Sequence, residues 1–267
     1  MKPDFSFGNF VWWLGKVEDI KDKEMLGRVK VKVYGYYDDI ETENLPWAAV
    51  MGPIQSSSLG GVGYSPTGLQ VGSTVVGFFL DGEQAQTPLV IGSLYGIPGG
   101  HDVHALARGQ NKSKKTAWGG GSFMHPGTSY NAKYPENHVI SGKSGVIVEM
   151  DNTSGKERYA WEHPSGTWAE ADYSGNHVHH TSNDHYVGVE GSNTHMTAGD
   201  SNIWVGGNAK IFIDGTVDLV VGGDYKVKVG GNYILEIEGM RIVTTKKTVL
   251  EGSEDDHRVI APRIFLN

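Results

Sequence analysis

A glycine stands at every eighth residue from Gly191 to Gly239, without a miss. Two residues before each glycine lies a β-branched side chain, from Val189 and Thr197 through to Ile237. Short strands that end in glycine turns, repeated with no helix between them, produce this pattern. We expect the backbone at these turns to be left-handed, a conformation that glycine adopts without steric cost. The seven turn residues are Gly191, Gly199, Gly207, Gly215, Gly223, Gly231 and Gly239.

Each eight-residue repeat, called an octad here, predicts one dry face and one wet face. When an octad is numbered from its glycine, positions +4 and +6 point the same way in a strand and are almost all aliphatic. Positions +3 and +5 are mixed, with Lys226 and Lys228 in one octad and Val220 in another. The predicted inward-facing residues are Ile203, Val205, Ile211, Ile213, Leu219, Val221, Val227, Val229, Leu235, Ile237 and Val243.

A single octad cannot bury its dry face alone, so the repeats must either coil within one chain or wind with copies of themselves. A three-sided helix made by one chain calls for larger and more varied core residues. A column of medium-sized aliphatics fits a narrow shared axis better. We therefore predict an all-β protein in which residues 175–252 form an intertwined homotrimeric β-prism, a triangular β-helix built from octapeptide repeats.

The two ends of the octad pattern are also predicted. Counted backwards, Asn183 and Gly175 fall on the lattice, and asparagine tolerates a left-handed turn. After Gly239 the lattice fails, because Lys247 stands where a glycine is expected. Residues 253–267 predict a cap that closes the trimer or seats a tip protein, because apolar residues continue almost to the terminus. They are Val259, Ile260, Ile264, Phe265 and Leu266.

Two histidines fall on the predicted axis. His179 and His195 both occupy position +4, so a trimer would bring three copies of each together. Such a ring can coordinate a metal or hold an anion when it is protonated. A hydrogen-bonded or water-filled ring is the alternative and the one we favour, so no metal and no cofactor is expected.

Composition narrows the classes of function. The formal charge of −8, from 23 Lys+Arg against 31 Asp+Glu, opposes binding to nucleic acid. The absence of cysteine removes disulfides, thiolate catalysis and cysteine zinc sites. The N-terminal stretch lacks the continuous apolar region of a secretory signal, so we expect folding and assembly in a cytoplasm.

Residues 1–98 predict a small barrel. Valine alternates with Lys and Arg from Arg28 to Val33, the period-2 mark of a half-buried strand. Four or five such segments in under a hundred residues favour an OB-fold barrel. Its aromatic residues offer platforms for sugar or single-stranded DNA, but the adjoining loop is acidic, so a core or a protein interface is the better interpretation. They are Trp12, Trp13, Tyr34, Tyr36 and Tyr37.

The middle of the chain predicts a linker and a neck. Residues 99–137 are polar and without sustained period, which is typical of a linker. Residues 138–174 contain three strand-like pieces separated by NTSG and HPSG, both good turn sequences. The neck's charges are interpreted as the solvated face of this sheet rather than as an acid–base site, and His163 as a turn residue. The acidic members are Glu149, Asp151, Glu157 and Glu162.

The order of these motifs resembles a known family. The barrel motifs LGRVKVKVYG, LPWAAVMGPI, YSPTGLQVGSTVVGFFLDG and LVIGSLYG resemble the N-terminal barrel of the central spike, or tail lysozyme, of contractile-tail phage baseplates. The neck sequence GVIVEMDNTSGKERYAWEHPSGTWAE is similar to the stem of those spikes and of the valine-glycine-repeat spikes of type VI secretion. The resemblance implies a trimeric spike in the virion tail, whose barrel docks on a trimeric hub and whose C-terminus carries a small tip protein.

The same resemblance bears on catalysis. Spikes with lysozyme activity carry a helical muramidase between barrel and spike, with a glutamate acid and an aspartate partner. Residues 99–137 offer only Asp102 and Glu136, and no helical period to hold them apart at a defined distance. We therefore predict a protein without catalytic residues, which contacts the bacterial envelope only while the tail pierces it.

Three other interpretations stay open at this stage. The chain resembles spikes of tailocins and secretion systems as well as those of phages. A polysaccharide-degrading β-helix enzyme would use His179, His195 and Asp184, although the octads lack the irregular polar face that such an enzyme needs. A binding module would recognise sugar or single-stranded DNA through the barrel and use the prism only to trimerise.

Overall fold

The computed structural model describes residues 10–59, 62, 68–95, 117–118, 123–124 and 126–252, which fall into two compact units divided between Gly206 and Gly207. Its regular elements are β-strands and two 3-10 turns, Thr42–Asn44 and Gly82–Gln84. No described helix is long and apolar enough to cross a membrane. The strands are β1 Trp12–Asp19, β2 Val29–Val33, β3 Trp47–Val50, β4 Thr74–Phe79, β5 Pro88–Ser93, β6 Ala117–Trp118, β7 Phe123–Met124, β8 Asn137–Ser141, β9 Ile147–Asp151, β10 Arg158–Glu162, β11 Trp168–Asp172 and β12 His177–His180.

The first five strands close into a barrel in the order β1-β2-β3-β5-β4, which confirms the predicted OB-like barrel. β1 pairs antiparallel with both β2 and β4, and the parallel pair β3–β5 completes the ring. Gly77 in β4 allows the close packing, because a Cβ there would lie 2.1 Å from the Leu89 carbonyl oxygen and 2.4 Å from the Trp13 ring. Only a residue without a side chain fits this position.

The alternation in β2 is confirmed. Val29, Val31 and Val33 point into the barrel and are buried beside Val17, Val75 and Phe79. The lysine face is not simply solvated, because the Nζ of Lys30 donates to the carbonyl oxygens of Thr42, at 3.1 Å, and Glu43, at 2.5 Å. The first 3-10 turn therefore covers this side of the strand.

The neck is a five-stranded antiparallel sheet in the order β12-β11-β10-β9-β8. Each of its four hairpins turns at a Ser-Gly pair whose glycine has a positive φ, between 69° and 95°. Such a conformation favours glycine, since a side chain would clash with the backbone. The four glycines are Gly145, Gly155, Gly166 and Gly175.

The structure extends the predicted neck at its ends. The three strand-like pieces correspond to β9, β10 and β11, and β8 and β12 flank them. β12 ends at His180 and pairs with β11, so the sheet continues past the expected boundary at residue 174. Gly175 accordingly belongs to a hairpin turn rather than to the octads. The physical reason is the turn itself, because Asp172 accepts hydrogen bonds from the backbone N–H groups of Ser174, at 2.9 Å, and Asn176, at 3.0 Å.

Several predictions fall on residues outside the described ranges. The C-terminal cap, residues 253–267, is one of them, and Asp102 with most of the predicted linker is another. Two pieces of that linker are described as the short antiparallel pair β6 and β7, in which Trp118 is opposite Phe123. The last part of the linker, from Pro126, lies against the neck sheet and is described below.

Candidate functional site

The octads expose the side chains that were predicted to face an axis. Residues 181–252 form no strand within the described chain and consist of segments without regular secondary structure between bends. The eleven predicted axial residues have between 44% and 84% of their surface exposed. So many exposed aliphatic side chains are unfavourable in isolation, because they leave apolar surface in contact with water. The geometry of one chain therefore presents a surface that needs partners.

The octad period appears in the backbone as a bend every eight residues. Bends occur at residues 190–191, 198–199, 206–207, 214–215, 222–223, 230–231 and 238–239, with the predicted glycine second in each pair. The same spacing continues to Ser182-Asn183 on one side and to Lys246-Lys247 on the other. The expectation that the pattern ends near Gly239 is therefore wrong for the backbone, since a bend of this kind does not require glycine.

The expected left-handed turns are also wrong. None of the seven octad glycines has a φ in the left-handed range, and a Cβ added to any of them would meet nothing within 4 Å in the single chain. The chain bends at these positions with no positive φ at the glycine, so a left-handed residue is not needed. This distinguishes the octad glycines from Gly175 and the other hairpin glycines of the neck.

One face of the neck sheet is open and largely apolar. Directly opposed residues on antiparallel strands share a face, so the pairs Ile140–Val148, Val148–Trp161 and Trp161–Ala169 form one row across the sheet. A second row contains Met150, Tyr159 and Ala171. Ile140 is 72% exposed, and Met150 and Tyr159 are also exposed. At the edge of this face stand His177 and His179, opposite Ala171 and Ala169.

The other face of the sheet buries charges. Arg158 on β10 lies between Glu149 on β9 and Glu170 on β11, and all three side chains are almost fully buried. The guanidinium Nη2 donates to Glu149, and Nη1 donates to Glu170 Oε2 at 3.2 Å. Asp151 and Glu162 are buried on the same face. A buried guanidinium between two carboxylates holds three strands together only while all three charges are present.

A strap from the end of the linker covers this charged face. Thr128 donates its hydroxyl to Glu170, and Ser129 donates its backbone N–H and its hydroxyl to the same carboxylate, both at 2.7 Å. The Arg158 guanidinium lies 5.0 Å from the centre of the Tyr130 ring, a cation–π distance. The N–H of Lys133 donates to the Thr153 hydroxyl at 2.9 Å. Residues 128–133 therefore exclude water from the network.

This burial corrects the sequence interpretation of the neck charges. Glu149, Asp151 and Glu162 were expected on a solvated face, and the structure buries them because the strap covers that face. Glu157 is exposed as expected. His163 does fix a turn, since its Nδ1 lies 2.8 Å from the Ser165 hydroxyl and 3.2 Å from the Ser165 amide nitrogen.

The two histidines predicted for the axis lie in different surroundings. His179 is on β12, with its ring centre 6.1 Å from that of Trp161 and 5.3 Å from that of His185. His195 lies between two octad bends and is exposed, as is Asp184. The described chain contains no group of three His, Cys, Asp or Glu residues arranged to hold a metal ion.

The barrel divides its aromatic residues between the core and the surface. Trp13 and Tyr37 are buried, and the Tyr37 hydroxyl donates to the Ala85 carbonyl oxygen at 2.5 Å. Burial, with the charge of Asp81 adding to it, raises the pKa of Tyr37 to about 12. Trp12, Tyr34 and Tyr36 are exposed. Of the five aromatic residues, these three on the outer surface of the barrel are the ones that a ligand could contact.

The cations on and beside β2 already have hydrogen-bond or ion-pair partners within the barrel. Lys30 and Lys32 both donate to carbonyl oxygens of the loop that follows β2. Arg28 pairs with Asp22 at 2.7 Å, and this guanidinium holds the pKa of the Asp22 carboxyl well below its usual range. Single-stranded nucleic acid needs aromatic platforms beside a basic groove, and β2 does not supply one.

Comparisons with known proteins agree with this architecture. Residues 28–103 match the family model of the Gp5 N-terminal OB domain. Over these residues the chain is similar to the Gp5 N-terminal OB domain. The chain is 28% identical to Protein Gp5 of Vibrio phage KVP40, in an alignment that covers 73% of this chain and 63% of that protein. It is 40% identical over 98 residues to the pre-baseplate central spike protein Gp5 of Enterobacteria phage T4, covering 33% of this chain and 17% of that protein.

The comparisons with the two Gp5 proteins confirm the resemblance to phage spikes that the sequence motifs indicated. The chain spans less than two thirds of the length of the curated relatives that it matches. The match to the KVP40 protein covers 73% of this chain, whereas the family model covers residues 28–103 alone. The likeness to Gp5 therefore extends beyond the OB domain.

Proposed function

We propose that the protein is a structural, non-catalytic component of the central spike and hub of a contractile phage tail baseplate, where it helps to pierce the host envelope. The Gp5 OB domain and the similarity to a protein named as a baseplate central spike support this role. The implied location is the tail of the virion, after assembly in the host cytoplasm. Tailocin and type VI secretion spikes are the alternatives within the same class.

The proposal includes assembly as a homotrimer, and the observation that carries it is the exposed apolar surface of the single chain. The open face of the neck sheet leads through β12 into the octads, and His179 is at once on that face and at position +4 of the octad count. The next +4 residues, Val187, His195 and Ile203, are exposed in the single chain. Three copies facing one axis would cover the neck face and the octad column together.

The octad glycines support the same arrangement. Their φ angles do not require glycine, and nothing in their own chain lies close to them. Glycine is also selected where another backbone approaches closely. In an intertwined trimer, the edges of the prism are where a bend of one chain meets the strand of the next.

The trimer would bring the histidines together. Three His179 side chains would surround the axis at the neck, and three His195 side chains two octads further on. We propose a hydrogen-bonded or water-filled ring at both levels, with no metal or cofactor required. The remaining partners, a trimeric hub at the barrel and a small tip protein at the C-terminus, follow the resemblance to phage spikes.

A polysaccharide-degrading β-helix enzyme is the second candidate class, and the neck geometry disfavours it. The buried carboxylates Glu149 and Glu170 both contact Arg158, and the strap covers them. A glycosidase instead needs two carboxylates that flank a substrate. Asp184, His179 and His195 are exposed in the single chain and do not form a metal group.

The test is the mass of the full-length chain in solution, together with an assay for activity. Native mass spectrometry is expected to find three copies of the 29.0 kDa chain, without a detectable monomer. Zymography on peptidoglycan and on capsular polysaccharide, with and without chelator, is expected to find no cleavage. A stable monomer would contradict the trimer, and chelator-sensitive cleavage would favour the enzyme.

A further inference from the structure

The apolar column of the octads cannot by itself fix how three chains align along their axis. The aliphatic positions and the glycines repeat almost unchanged from one octad to the next. A chain displaced along the axis by one whole octad would therefore bury the same kind of side chain at the same positions. Within the octads, the alignment must come from residues that differ between successive repeats.

The charged residues of the octads differ between successive repeats in a regular way. Wherever residues 183–252 hold charges at the same position of two consecutive octads, the two charges have opposite signs. All of these side chains are exposed in the single chain, and the bend at residues 246–247 keeps the last of them on the eight-residue count. The pairs, called the charge ladder here, are Lys210 with Asp218 and Asp218 with Lys226 at position +3, Lys228 with Glu236 at +5, and Glu238 with Lys246 at +7.

The geometry of the proposed trimer makes consecutive octads neighbours across chains. Each octad lies on one side of the prism, and the next octad of that chain lies on the following side, about 4.8 Å further along the axis. Threefold symmetry places the earlier octad of a neighbouring chain on this same side, one strand spacing below. Every octad therefore stacks, in parallel, against the following octad of a neighbouring chain. Equal positions stand side by side, and the odd positions +3, +5 and +7 share the outer face.

We infer that the charge ladder forms ion pairs between chains on the outer face of the prism and selects the register in which three copies wind together. This inference rests on the proposed trimer. In the selected register, Lys210 of one chain lies beside Asp218 of its neighbour, and Asp218 lies beside Lys226 of the next. A slip of one octad would instead bring Asp218 beside Asp218, or Lys210 beside Lys226. Like charges on directly adjacent strands are destabilising.

The ladder acts through the difference between registers rather than through strong individual pairs. Exposed ion pairs contribute little each, because water and salt screen them. Lys226, for example, also lies 3.2 Å from Asp224 of its own chain, with both side chains at least 82% exposed. Threefold symmetry repeats every pair of the ladder three times, and a slipped chain exchanges attraction for repulsion at several of these contacts together. The apolar column supplies the stability of the trimer, and the ladder supplies its alignment.

Disulfide crosslinking tests the register, because the chain contains no cysteine of its own. The full-length variant with Lys210→Cys and Asp218→Cys brings thiols of neighbouring chains onto adjacent strands, about 4.8 Å apart, within the Cα range of a disulfide. After oxidation it is expected to run as a covalent trimer on a denaturing gel. The control with Lys210→Cys and Lys226→Cys separates the thiols by two strand spacings and is expected to give single chains. Lys210→Cys alone is also expected to give single chains.

A charge swap tests the ion pairs themselves. Lys228→Glu and Glu236→Lys each place like charges on adjacent strands, so each is expected to speed trimer dissociation in detergent about tenfold at low salt, and less at high salt. The double variant keeps the composition and restores opposite signs, so it is expected to dissociate within about twofold of the unmodified trimer. Asp200→Lys is the control, because the same position holds Ser192 and Asn208 in the adjoining octads, and it is expected to leave the rate unchanged.

Each other outcome overturns the inference. Covalent trimers from Lys210→Cys alone, or from its combination with Lys226→Cys, would mean that different octads are neighbours. Trimers that form but do not crosslink through Lys210→Cys and Asp218→Cys would exclude the proposed stacking. A double charge swap that stays as unstable as the single variants would mean that the two residues do not pair. A monomeric unmodified chain is a separate result, seen in the mass measurement before any variant is made, and it contradicts the proposed function itself.

Discussion

Arg158 and Glu170 lie on adjacent neck strands, and the guanidinium Nη1 is 3.2 Å from the carboxylate Oε2 with both side chains buried. Glu170 also accepts hydrogen bonds from Thr128 and Ser129, which precede it by 42 and 41 residues in the chain. This carboxylate therefore joins the end of the linker to the centre of the sheet. Removing Arg158 would leave the buried carboxylates Glu149 and Glu170 without their counter-charge.

Replacement of Arg158 by Met is expected to destabilise the neck by roughly 3–5 kcal/mol, since Glu149 and Glu170 would both lose their counter-charge. Hydrogen exchange of the β9–β11 amides measures the effect locally. Lys143→Met changes an exposed cation in the β8–β9 hairpin and is the control.

The triple variant that also changes Glu149 and Glu170 to Leu is expected to recover part of the protection, because the three charges of this network are removed together. Equal protection in Arg158→Met and Lys143→Met would mean that the buried pair carries no stabilising role.

The octad faces predict opposite results at two neighbouring residues. Val221 stands at the axial position +6, and Val220 at the outward position +5 of the same octad. Val221→Asp is expected to prevent stable trimers, because three carboxylates would meet at a dry axis. Val220→Asp is expected to leave the trimer intact, because position +5 lies on the opposite face of the octad from the axial positions. Native mass spectrometry and resistance to detergent distinguish the two, and identical behaviour would contradict the assigned faces.

Two glycines of the barrel, Gly77 and Gly92, are expected to differ in how they tolerate replacement by alanine. A Cβ at Gly77 would overlap the Leu89 carbonyl oxygen and the Trp13 ring, whereas a Cβ at Gly92 on the neighbouring strand meets nothing within 4 Å. Gly77→Ala is expected to cost about 1–3 kcal/mol or more, as overpacking of a core does. Gly92→Ala is expected to change stability by less than about 1 kcal/mol. Thermal unfolding followed by near-UV circular dichroism compares the two, and equal loss would contradict the packing at Gly77.

Tyr37 predicts loss of barrel stability in alkali. Burial raises the pKa of the Tyr37 hydroxyl to about 12 in the folded barrel. In the unfolded chain the pKa is about 10. Between these two pH values the folded barrel keeps the phenolic proton, whereas the unfolded chain releases it. The stabilising effect is full below about pH 10 and is lost as the pH rises through about 12.

Tyr37→Phe has no phenolic proton and is expected to remove this part of the alkaline loss. It also removes the hydrogen bond to Ala85, so its stability at neutral pH should be lower. Unfolding at pH 8, 10 and 11.5 measures both effects. Parallel pH profiles for Tyr37→Phe and the unmodified chain would contradict the role of this residue.

The hairpin sequences show how much more of the neck was predictable. NTSG and HPSG predicted two of the turns, and the same Ser-Gly signal occurs at Ser144-Gly145 and Ser174-Gly175. These pairs mark the two hairpins that add β8 and β12. Gly175 was assigned to the octads because it falls on their count, and periodicity cannot distinguish a hairpin glycine with positive φ from a glycine at a bend.

The burial of the neck charges was not predictable from local pattern. β9 carries Glu149 and Asp151 on one side and apolar residues on the other, which normally indicates a solvated face. The strap that covers this face comes from a polar segment without period, and its contacts to Glu170 span 41 and 42 residues. Alternation reports that the two faces differ. It does not report which face is covered.

The octads show most clearly which features the sequence determined and which features the tertiary structure decided. The eight-residue count, the aliphatic column and the β-only barrel were determined by the sequence alone, because side-chain periodicity follows directly from strand geometry. The tertiary structure decided that the octad glycines lie at bends rather than left-handed turns, that the bends continue to Lys247, and that His179 belongs to the neck sheet. Those features depend on backbone direction and on pairing between distant strands, which no local pattern encodes.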